Sequence, residues 1–271
     1  YTRLVSMKLF TLRAADYLRS ASMDDRRYLL YNPIVKMKVT TQGEEVINLL
    51  WDVIAAKGFE AEPFFEMATR DIRASPKLEG TVHVNIALIV KFMPNFFFNP
   101  MEYTPIPRCD QARNDDFLFD QGPARGLGKI RFHDYLRVFE DHPLPNVNIF
   151  KEQVDVFKKF LAFATPDESQ QKDVDFLLAV GEIFTLVVYA QLILENASLY
   201  EVGNDLLDQI FDFMVRDFAR HALNLHNKPS STPRQMELCL QMLRKPAVDE
   251  ARFDRVWQEV HSLKDAYSMN P

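Results

Sequence analysis

The 271-residue chain has little glycine and very little cysteine. It contains 8 Gly and 2 Cys against 22 Phe, and 47% of its residues are hydrophobic. Few glycines and many phenylalanines favour packed helices over a turn-rich β-sandwich. Cys109 and Cys239 lie far apart and have no metal-ligand spacing, which favours a reducing compartment. We therefore predict an all-α, cytoplasmic protein.

The chain also lacks an excess of positive charge. Its 32 basic and 38 acidic residues give a net charge of −6, which argues against a general nucleic-acid groove. No charged and then apolar segment opens the sequence, so no signal peptide is predicted. The first residue is Tyr, and we expect the chain to be processed or to be an excerpt of a longer protein.

One apolar run, at 174–194, is long enough to span a membrane. Asp175, Glu182 and Gln191 interrupt it, and polar groups are costly in hydrocarbon. We therefore predict a buried central helix and no integral membrane segment.

Apolar residues recur at steps of three and four along most of the chain, which is typical of amphipathic helices. The predicted helices cover residues 3–20, 33–57, 62–74, 80–96, 148–164, 166–196, 205–226, 233–243 and 249–269. Proline, charge and Gly-Pro steps mark 101–128 as a linker. The sequence thus predicts a helical bundle at 1–100, a linker at 101–128 and a second helical domain at 129–271.

A carboxylate lies at a break between two of these helices. The segment 58–85 reads GFEAEPFFEMATRDIRASPKLEGTVHVN, and Leu78-Glu79-Gly80-Thr81 follows a proline-broken helix end. Gly80 permits close approach of a ligand to the backbone. The simpler interpretation is a solvated acid beside a helix N-terminus, with Thr81 as the helix cap and Leu78 as an ordinary core residue.

This stretch resembles the C-terminal part of the acyl-CoA dehydrogenases, flavoenzymes that oxidise acyl-CoA thioesters to 2-enoyl-CoA. The likeness runs without a gap from Gly58 through Arg70-Asp71 to Thr81. The region after the linker resembles, less specifically, the extra helical domain of larger members. The resemblance implies an acyl-CoA dehydrogenase C-terminal-type helical bundle followed by a second helical domain.

The resemblance also implies chemistry. Glu79 would remove the α-proton of the acyl-CoA substrate while the β-hydride passes to FAD, and its backbone N–H would polarise the thioester carbonyl. Leu78 would line the acyl pocket, Gly80 would lie beside the thioester and Thr81 beside the flavin. A base in this role must approach the carbon to about 3 Å in a dry pocket.

Departures from the family pattern fall on the cofactor side. Gly58 keeps the last glycine of a loop that contacts the adenosine-diphosphate part of the flavin of a neighbouring subunit, but Ala55 and Ala56 replace the paired glycines. Asp52 stands at the usual Gln and would repel a pyrophosphate. His83 replaces a common acid or amide and is a candidate cofactor contact. Homo-oligomers, with electron-transfer flavoprotein as electron acceptor, are implied.

Two alternatives stay open. The first is a non-catalytic homologue that serves as a dimerisation or membrane-docking scaffold, which the lost Gln and glycines favour. The second is an acyl-CoA oxidase, which passes the electrons to oxygen. The family's N-terminal helical domain and middle β-domain are absent from these residues, so we expect the chain alone neither to hold FAD nor to turn over substrate.

The histidines predict no metal site. His221 and His226 share a predicted helix but are five residues apart, which points them to different faces. His133, His142 and His261 have no partner pattern. The Ser-Thr-Pro step at 231–233 lacks the glycines of a phosphate loop and is interpreted as a helix cap.

Overall fold

The computed structural model describes residues 1–61, 64–111, 114–121, 126–264 and 266, and in these ranges it contains helices and no strand. The predicted all-α class is therefore confirmed. The helices are α1 (Thr2–Arg19), α2 (Tyr28–Ile34), α3 (Thr40–Ile54), α4 (Phe64–Ala74), α5 (Val82–Ile89), α6 (Met93–Phe98), α7 (Asp116–Asp120), α8 (Leu136–Glu140), α9 (Pro145–Phe163), α10 (Val174–Leu199), α11 (Asn204–His226), α12 (Pro233–Gln241) and α13 (Glu250–Ser262).

Helix α10 is the centre of the fold. It packs against α1, α5 and α11, and nearly every residue from 176 to 197 is buried. It is long and apolar enough to cross a membrane, but 83% of its most apolar window is buried inside the protein itself. Core helices that are apolar on all sides show this pattern. Its acidic N-cap, Asp173, accepts hydrogen bonds from the backbone N–H groups of residues 175 and 176.

The 1–100 and 129–271 parts share one hydrophobic core. Phe96 of α6 lies with its ring centroid 5.2 Å from Phe184 of α10, and Phe10 of α1 lies 4.8 Å from Tyr189. Phe157 of α9 contacts the same cluster through Phe97, at 5.7 Å. Each of these rings is almost fully buried, which stabilises the fold by roughly 1.5–3 kcal/mol per side chain. Phenylalanine side chains therefore make up a large part of this core.

The predicted linker is attached to the helices along part of its length. The backbone N–H of Cys109 donates to Asp16 Oδ1 at 2.8 Å, and the Cys109 side chain is buried. The N–H of Met101 donates to the carbonyl of Phe132 at 2.8 Å. Residues 112–113 and 122–125 lie outside the described ranges. The segment also holds a short helix, α7, which the sequence does not predict.

Helix α2 begins before the proline that the sequence predicts as a helix start. Pro33 lies inside the helix, where it lacks the N–H that would bond to the carbonyl four residues back. A π-helical stretch, Val35–Val39, follows directly and leads into α3. Thr41 Oγ1 donates to the carbonyl of Met37 at 2.7 Å, so a side chain satisfies part of the displaced backbone. π-helical stretches occur often at functional sites.

Capping side chains lie at the starts of α12 and α13. Thr232 accepts from the N–H of Gln235, whose side chain accepts from the N–H of Thr232 in return, so the predicted cap of α12 is confirmed as a capping box. Helix α13 starts after Asp249, as predicted, but ends at Ser262 rather than near 269. Residues 265 and 267–271 lie outside the described ranges, as do 62–63 at the predicted start of α4.

Candidate functional site

A sharp turn presents the carboxylate of Glu79 between α4 and α5. Helix α4 ends at Ala74, whose carbonyl accepts from the backbone N–H of Lys77 at 2.9 Å. Two consecutive left-handed residues follow, Glu79 with φ 49° and Gly80 with φ 102°. Glycine adopts this conformation freely, but a residue with a Cβ atom is destabilised by about 1–2 kcal/mol. Such local strain is found preferentially at functional sites.

Asn85, one turn into α5, holds the far side of this turn. Its Nδ2 donates to the carbonyl of Thr81 at 3.1 Å and to that of Gly80 at 3.3 Å. Thr81 has the extended conformation of an N-cap residue, yet its side chain makes no capping bond to the helix. The Thr81 hydroxyl and the first N–H groups of α5 therefore lack the usual capping bond between them.

The turn is attached to α3 and the π-helical stretch through side chains. Lys36 Nζ donates to the carbonyl of Ser75. Arg73 donates to Asn48 Oδ1 at 2.8 Å, and its guanidinium lies 5.8 Å from the ring centroid of Trp51. These contacts attach the end of α4 and the start of the connector to the π-helical stretch and to α3.

The predicted site residues differ in their exposure. Glu79, Thr81 and His83 are exposed, and Leu78 is 60% exposed. Gly80 is half-buried. Within the chain, the structure thus brings Leu78 to His83 together on an open surface rather than in an enclosed pocket.

Gly58 lies apart from them, in the 3-10 turn Ala55–Phe59, and is buried. A Cβ atom there would lie 2.7 Å from Trp51 Nε1, so the indole ring requires glycine at this position. The ring of Phe59 also contacts Trp51, with centroids 4.8 Å apart. In the described chain, Gly58 is explained by this packing.

Ala55 has an unusual backbone. It ends α3 with φ 53° and ψ −132°, a combination that favours glycine. By the resemblance it occupies one of the paired glycine positions, so the backbone keeps a glycine-like shape although the side chain is alanine. Asp52, one turn earlier, is half or more exposed on the same helix end.

Large apolar side chains are exposed around this region. They come from the second half of α3, from the 3-10 turn, from α4, from the connector and from α5. They are Leu49 at 57%, Leu50 at 44%, Val53 at 80%, Phe59 at 73%, Phe64 at 58%, Met67 at 42%, Leu78 at 60% and Val84 at 62% exposure. Clustered exposed apolar groups mark surfaces that bind another protein surface or a ligand.

Sequence reasoning missed a cavity of about 230 Å³ between α3, the N-terminus of α5, α10 and α11. Lys38 of the π-helical stretch, Glu182 of α10 and His221 of α11 line it. The only sequence signal was Glu182, an acid inside the apolar run. Lys38 and His221 carry no motif, because the fold brings them together from distant segments.

A second polar cluster joins α1 to α10. Glu195 accepts from Arg13 Nε at 2.8 Å, and His133 Nε2 lies 2.9 Å from its other oxygen. Arg27 reaches His133 Nδ1 at 2.9 Å and stacks over Tyr103, 3.9 Å from its ring centroid. Glu195 is bonded to groups from α1 and from the segment before α8, so the cluster acts as a structural link between helices.

Within the described ranges, no group of three or more His, Cys, Asp or Glu side chains could hold a metal ion.

Comparison with known proteins adds no assignment: no protein-family model, no curated protein and no solved structure matches the chain.

Proposed function

We propose that this chain is the C-terminal helical part of an FAD-dependent acyl-CoA dehydrogenase, with Glu79 as the base that removes the α-proton. The observation that supports this most directly is the strained Glu79–Gly80 turn, which projects a carboxylate away from the bundle next to the N-terminus of α5. A left-handed backbone at a residue with a Cβ atom is found preferentially at functional sites, although Glu201, between α10 and α11, has one as well.

The residues around the turn suit the rest of the chemistry. The backbone N–H of Glu79 would donate to the thioester carbonyl, whose negative charge grows as the α-proton leaves. Leu78 would contact the acyl chain, and the small Gly80 would let the thioester approach. FAD, when bound, supplies the acceptor for the β-hydride.

Two polar groups of this chain suit contact with a flavin, and one acid opposes it. The Thr81 hydroxyl, which does not cap its helix, and the exposed His83 are available to a neighbouring polar ring. At the other end, the carboxylate of Asp52 would oppose a pyrophosphate. We therefore propose that Thr81 and His83 contact the flavin and that Gly58 shapes the loop. The contact at Asp52 would differ from the one that the family pattern implies.

The exposed apolar surface between residues 49 and 84 explains how an open turn would become a dry site. Excluding water strengthens the electrostatic interactions of a carboxylate base and prevents side reactions. On this proposal, the flavin-bearing part of the enzyme covers this surface and encloses Glu79. Homo-oligomerisation, electron-transfer flavoprotein as acceptor, and a cytoplasmic location belong to the same proposal.

The test compares Glu79→Gln with wild type in the complete polypeptide that carries this chain, reconstituted with FAD. Acyl-CoA is added anaerobically, and loss of the flavin's visible absorbance is followed. We expect Glu79→Gln to slow flavin reduction by roughly 10²–10⁴-fold, which is the usual contribution of a general base to the rate. Flavin content and melting temperature should stay unchanged.

The matched control is Glu60→Gln, an exposed acid that precedes α4 and has no assigned role. The flavin of this variant should be reduced at the wild-type rate. Equal reduction rates in Glu79→Gln and wild type would overturn the base assignment.

A second candidate is a non-catalytic helical scaffold, and one observation favours it: Glu79 is exposed in the described chain, with an apolar surface beside it suited to a protein partner. A polypeptide that binds neither FAD nor acyl-CoA, but self-associates through this surface, would support the scaffold. Changing Val53 and Phe59, 80% and 73% exposed, to Ser should then weaken the association.

A further inference from the structure

The cavity beside the N-terminus of α5 is separate from the Glu79 turn and has its own set of polar groups. Its volume is about 230 Å³, room for a small organic molecule. Glu45 and Arg220, whose side chains are 38% and 56% exposed, bring its edge to the protein surface. Lys38, Glu182 and His221 lie deeper along its wall.

Lys38 is the unusual member. It is only 8% exposed and belongs to the π-helical stretch after Pro33. Among the described residues, no carboxylate oxygen lies within 4.0 Å of its Nζ and no acceptor within hydrogen-bond distance. Its one close contact is the ring of Tyr189, 5.5 Å away. Buried lysines are normally paired with an acid, because an isolated buried charge is costly.

Burial lowers the pKa of Lys38, and the positive charge of Arg3 on α1 adds to this. Acids oppose the shift without cancelling it. The charged or titratable groups that face Lys38 come from α1, α3, α10 and α11, and they are Arg3, Glu45, Glu182, Asp217, Arg220 and His221. A larger share of the amine is therefore neutral at ordinary pH than for an exposed lysine.

The neighbours of Lys38 can exchange protons. Burial raises the pKa of Glu182, which favours its protonated form, and Glu182 has no hydrogen-bond or ion-pair partner among the described residues. Burial, together with the charges of Lys38 and Arg220, lowers the pKa of His221 to about 3, so its imidazole is neutral. An acid, a neutral imidazole and an amine thus line one small space.

We propose that Lys38 is a nucleophilic amine that forms an imine with a small aldehyde or ketone in this cavity. Lysines desolvated in a cavity are the usual amines of such chemistry. The geometry that carries the proposal is the unpaired Nζ lining an open cavity together with an acid and an imidazole.

The step balances without an oxidant or reductant. The Lys38 Nζ lone pair attacks the carbonyl carbon, and the oxygen takes a proton from Glu182 to give a carbinolamine. Glu182 takes back the surplus proton from the positively charged nitrogen of the carbinolamine and donates it to the hydroxyl. The hydroxyl leaves as water as the C=N bond forms, which gives an iminium beside the Glu182 carboxylate, while the His221 imidazole stays neutral.

The test uses the wild-type chain with acetaldehyde as probe and sodium cyanoborohydride, which reduces an imine to a stable ethylated amine. Ethylation of each lysine is measured by peptide mass spectrometry over time, at about pH 6.5 and about pH 10. Lys36, on the same π-helical stretch but bonded to the carbonyl of Ser75, is the internal control.

At about pH 6.5, Lys38 should react severalfold faster than Lys36, because burial lowers the pKa of Lys38 and leaves a larger share of its amine neutral. The ratio should fall at about pH 10, where other amines also lose their protons, and should disappear in denaturant. Equal rates for Lys38 and Lys36 at the lower pH, or a ratio that ignores pH, would overturn the proposal.

A variant separates the roles in the cavity. Glu182→Gln keeps the size of the side chain and removes the acid, so Lys38 ethylation should slow at least about threefold while Lys36 is unaffected. An unchanged Lys38 rate in folded Glu182→Gln would remove the acid from the mechanism and contradict the proposal as stated. If this variant does not fold, the wild-type lysine ratio still decides. These readouts need neither FAD nor acyl-CoA, so they stand or fall independently of the role of Glu79.

Discussion

Arg13 Nε lies 2.8 Å from Oε2 of Glu195, and this buried ion pair links α1 to the central helix α10. Tyr17 also donates to the same oxygen, at 3.0 Å, and His133 contacts the other one. Burial alone would raise the pKa of Glu195. The hydrogen bond from His133 and the charges of His133 and Arg13 outweigh it and lower the pKa to about 2.

Glu195→Gln should therefore destabilise the protein by roughly 1.5–3 kcal/mol at neutral pH, because it removes charged hydrogen bonds to Arg13 and His133 while Asp16 still pairs with Arg13 at 3.1 Å. Urea unfolding followed by circular dichroism measures this. Glu168→Gln, an exposed acid with no assigned contact, should change stability by less than about 0.5 kcal/mol. A loss below about 1 kcal/mol in Glu195→Gln would show that the pair contributes little.

The same ion pair makes the stability of the folded protein depend on pH in the acid range. Because the folded pKa of Glu195 lies below the ordinary value of 4.5, its stabilising contribution is complete above that value and is lost as pH falls toward about 2. Stability of wild type should fall more steeply between these two pH values than that of Glu195→Gln. Parallel pH profiles would contradict this.

His221 predicts a second pH effect, at milder acidity. Its folded pKa of about 3 lies below the ordinary 6.5, so the unfolded chain takes up a proton that the folded one refuses. Stability from this group is full above pH 6.5 and is lost as pH falls toward 3, at up to about 1.4 kcal/mol per pH unit. Between pH 6.5 and about pH 5, the free energy of unfolding measured in urea should fall by about 2 kcal/mol less in His221→Asn than in wild type. His226→Asn, on the same helix, should keep the wild-type slope.

Ala55→Gly should stabilise the protein. The residue has φ 53° and ψ −132°, which glycine adopts without clash, and relief of this strain should add about 1 kcal/mol. Ala56→Gly is the matched control, since its neighbouring position has no positive φ and glycine there should cost about 0.5–1 kcal/mol. Melting temperatures that move in opposite directions would confirm the strain, and a fall in both would contradict it.

Gly181 marks the closest approach of α10 to α5. A Cβ atom there would lie 2.3 Å from Ile86 Cγ2, which is a clash. Gly181→Ala should therefore cost about 1–3 kcal/mol by overpacking, as measured by thermal unfolding. Ile86→Val combined with Gly181→Ala keeps this Cγ2 methyl and should recover little, whereas Ile86→Ala removes it and should relieve the clash. Gly203→Ala, with nothing within 4 Å, should be nearly neutral.

The sequence predicted the helices wherever an apolar stripe or a cap was strong. The capping box at Thr232 and the burial of the run at 174–194 are both local properties, and both were predictable. Pro33 was misleading, because proline usually starts a helix, whereas here a π-helical stretch absorbs it within one. The break around Glu79 was predictable from Pro76 and Gly80, but the left-handed backbone of Glu79 was not.

The three polar residues that interrupt the apolar run show what tertiary structure decided. The sequence marks Asp175, Glu182 and Gln191 equally. In the fold, Asp175 pairs with Lys228 at the surface, 2.7 Å away, and Gln191 donates to Glu195 at 2.8 Å inside the core. Glu182 instead lines the cavity of Lys38.

By itself, the sequence determined that the chain is helical and where the carboxylate of Glu79 interrupts the helices, because periodicity, caps and breakers act between near neighbours. It did not determine which apolar side chains are buried, since Leu49, Leu50 and Val53, predicted to face inward from α3, are exposed. Only the tertiary structure decided that Lys38, Glu182 and His221 share a cavity and that Arg13 meets Glu195. Those groups lie far apart in the chain, and the way the helices pack around α10 fixes which of them are buried together and how their pKa values shift.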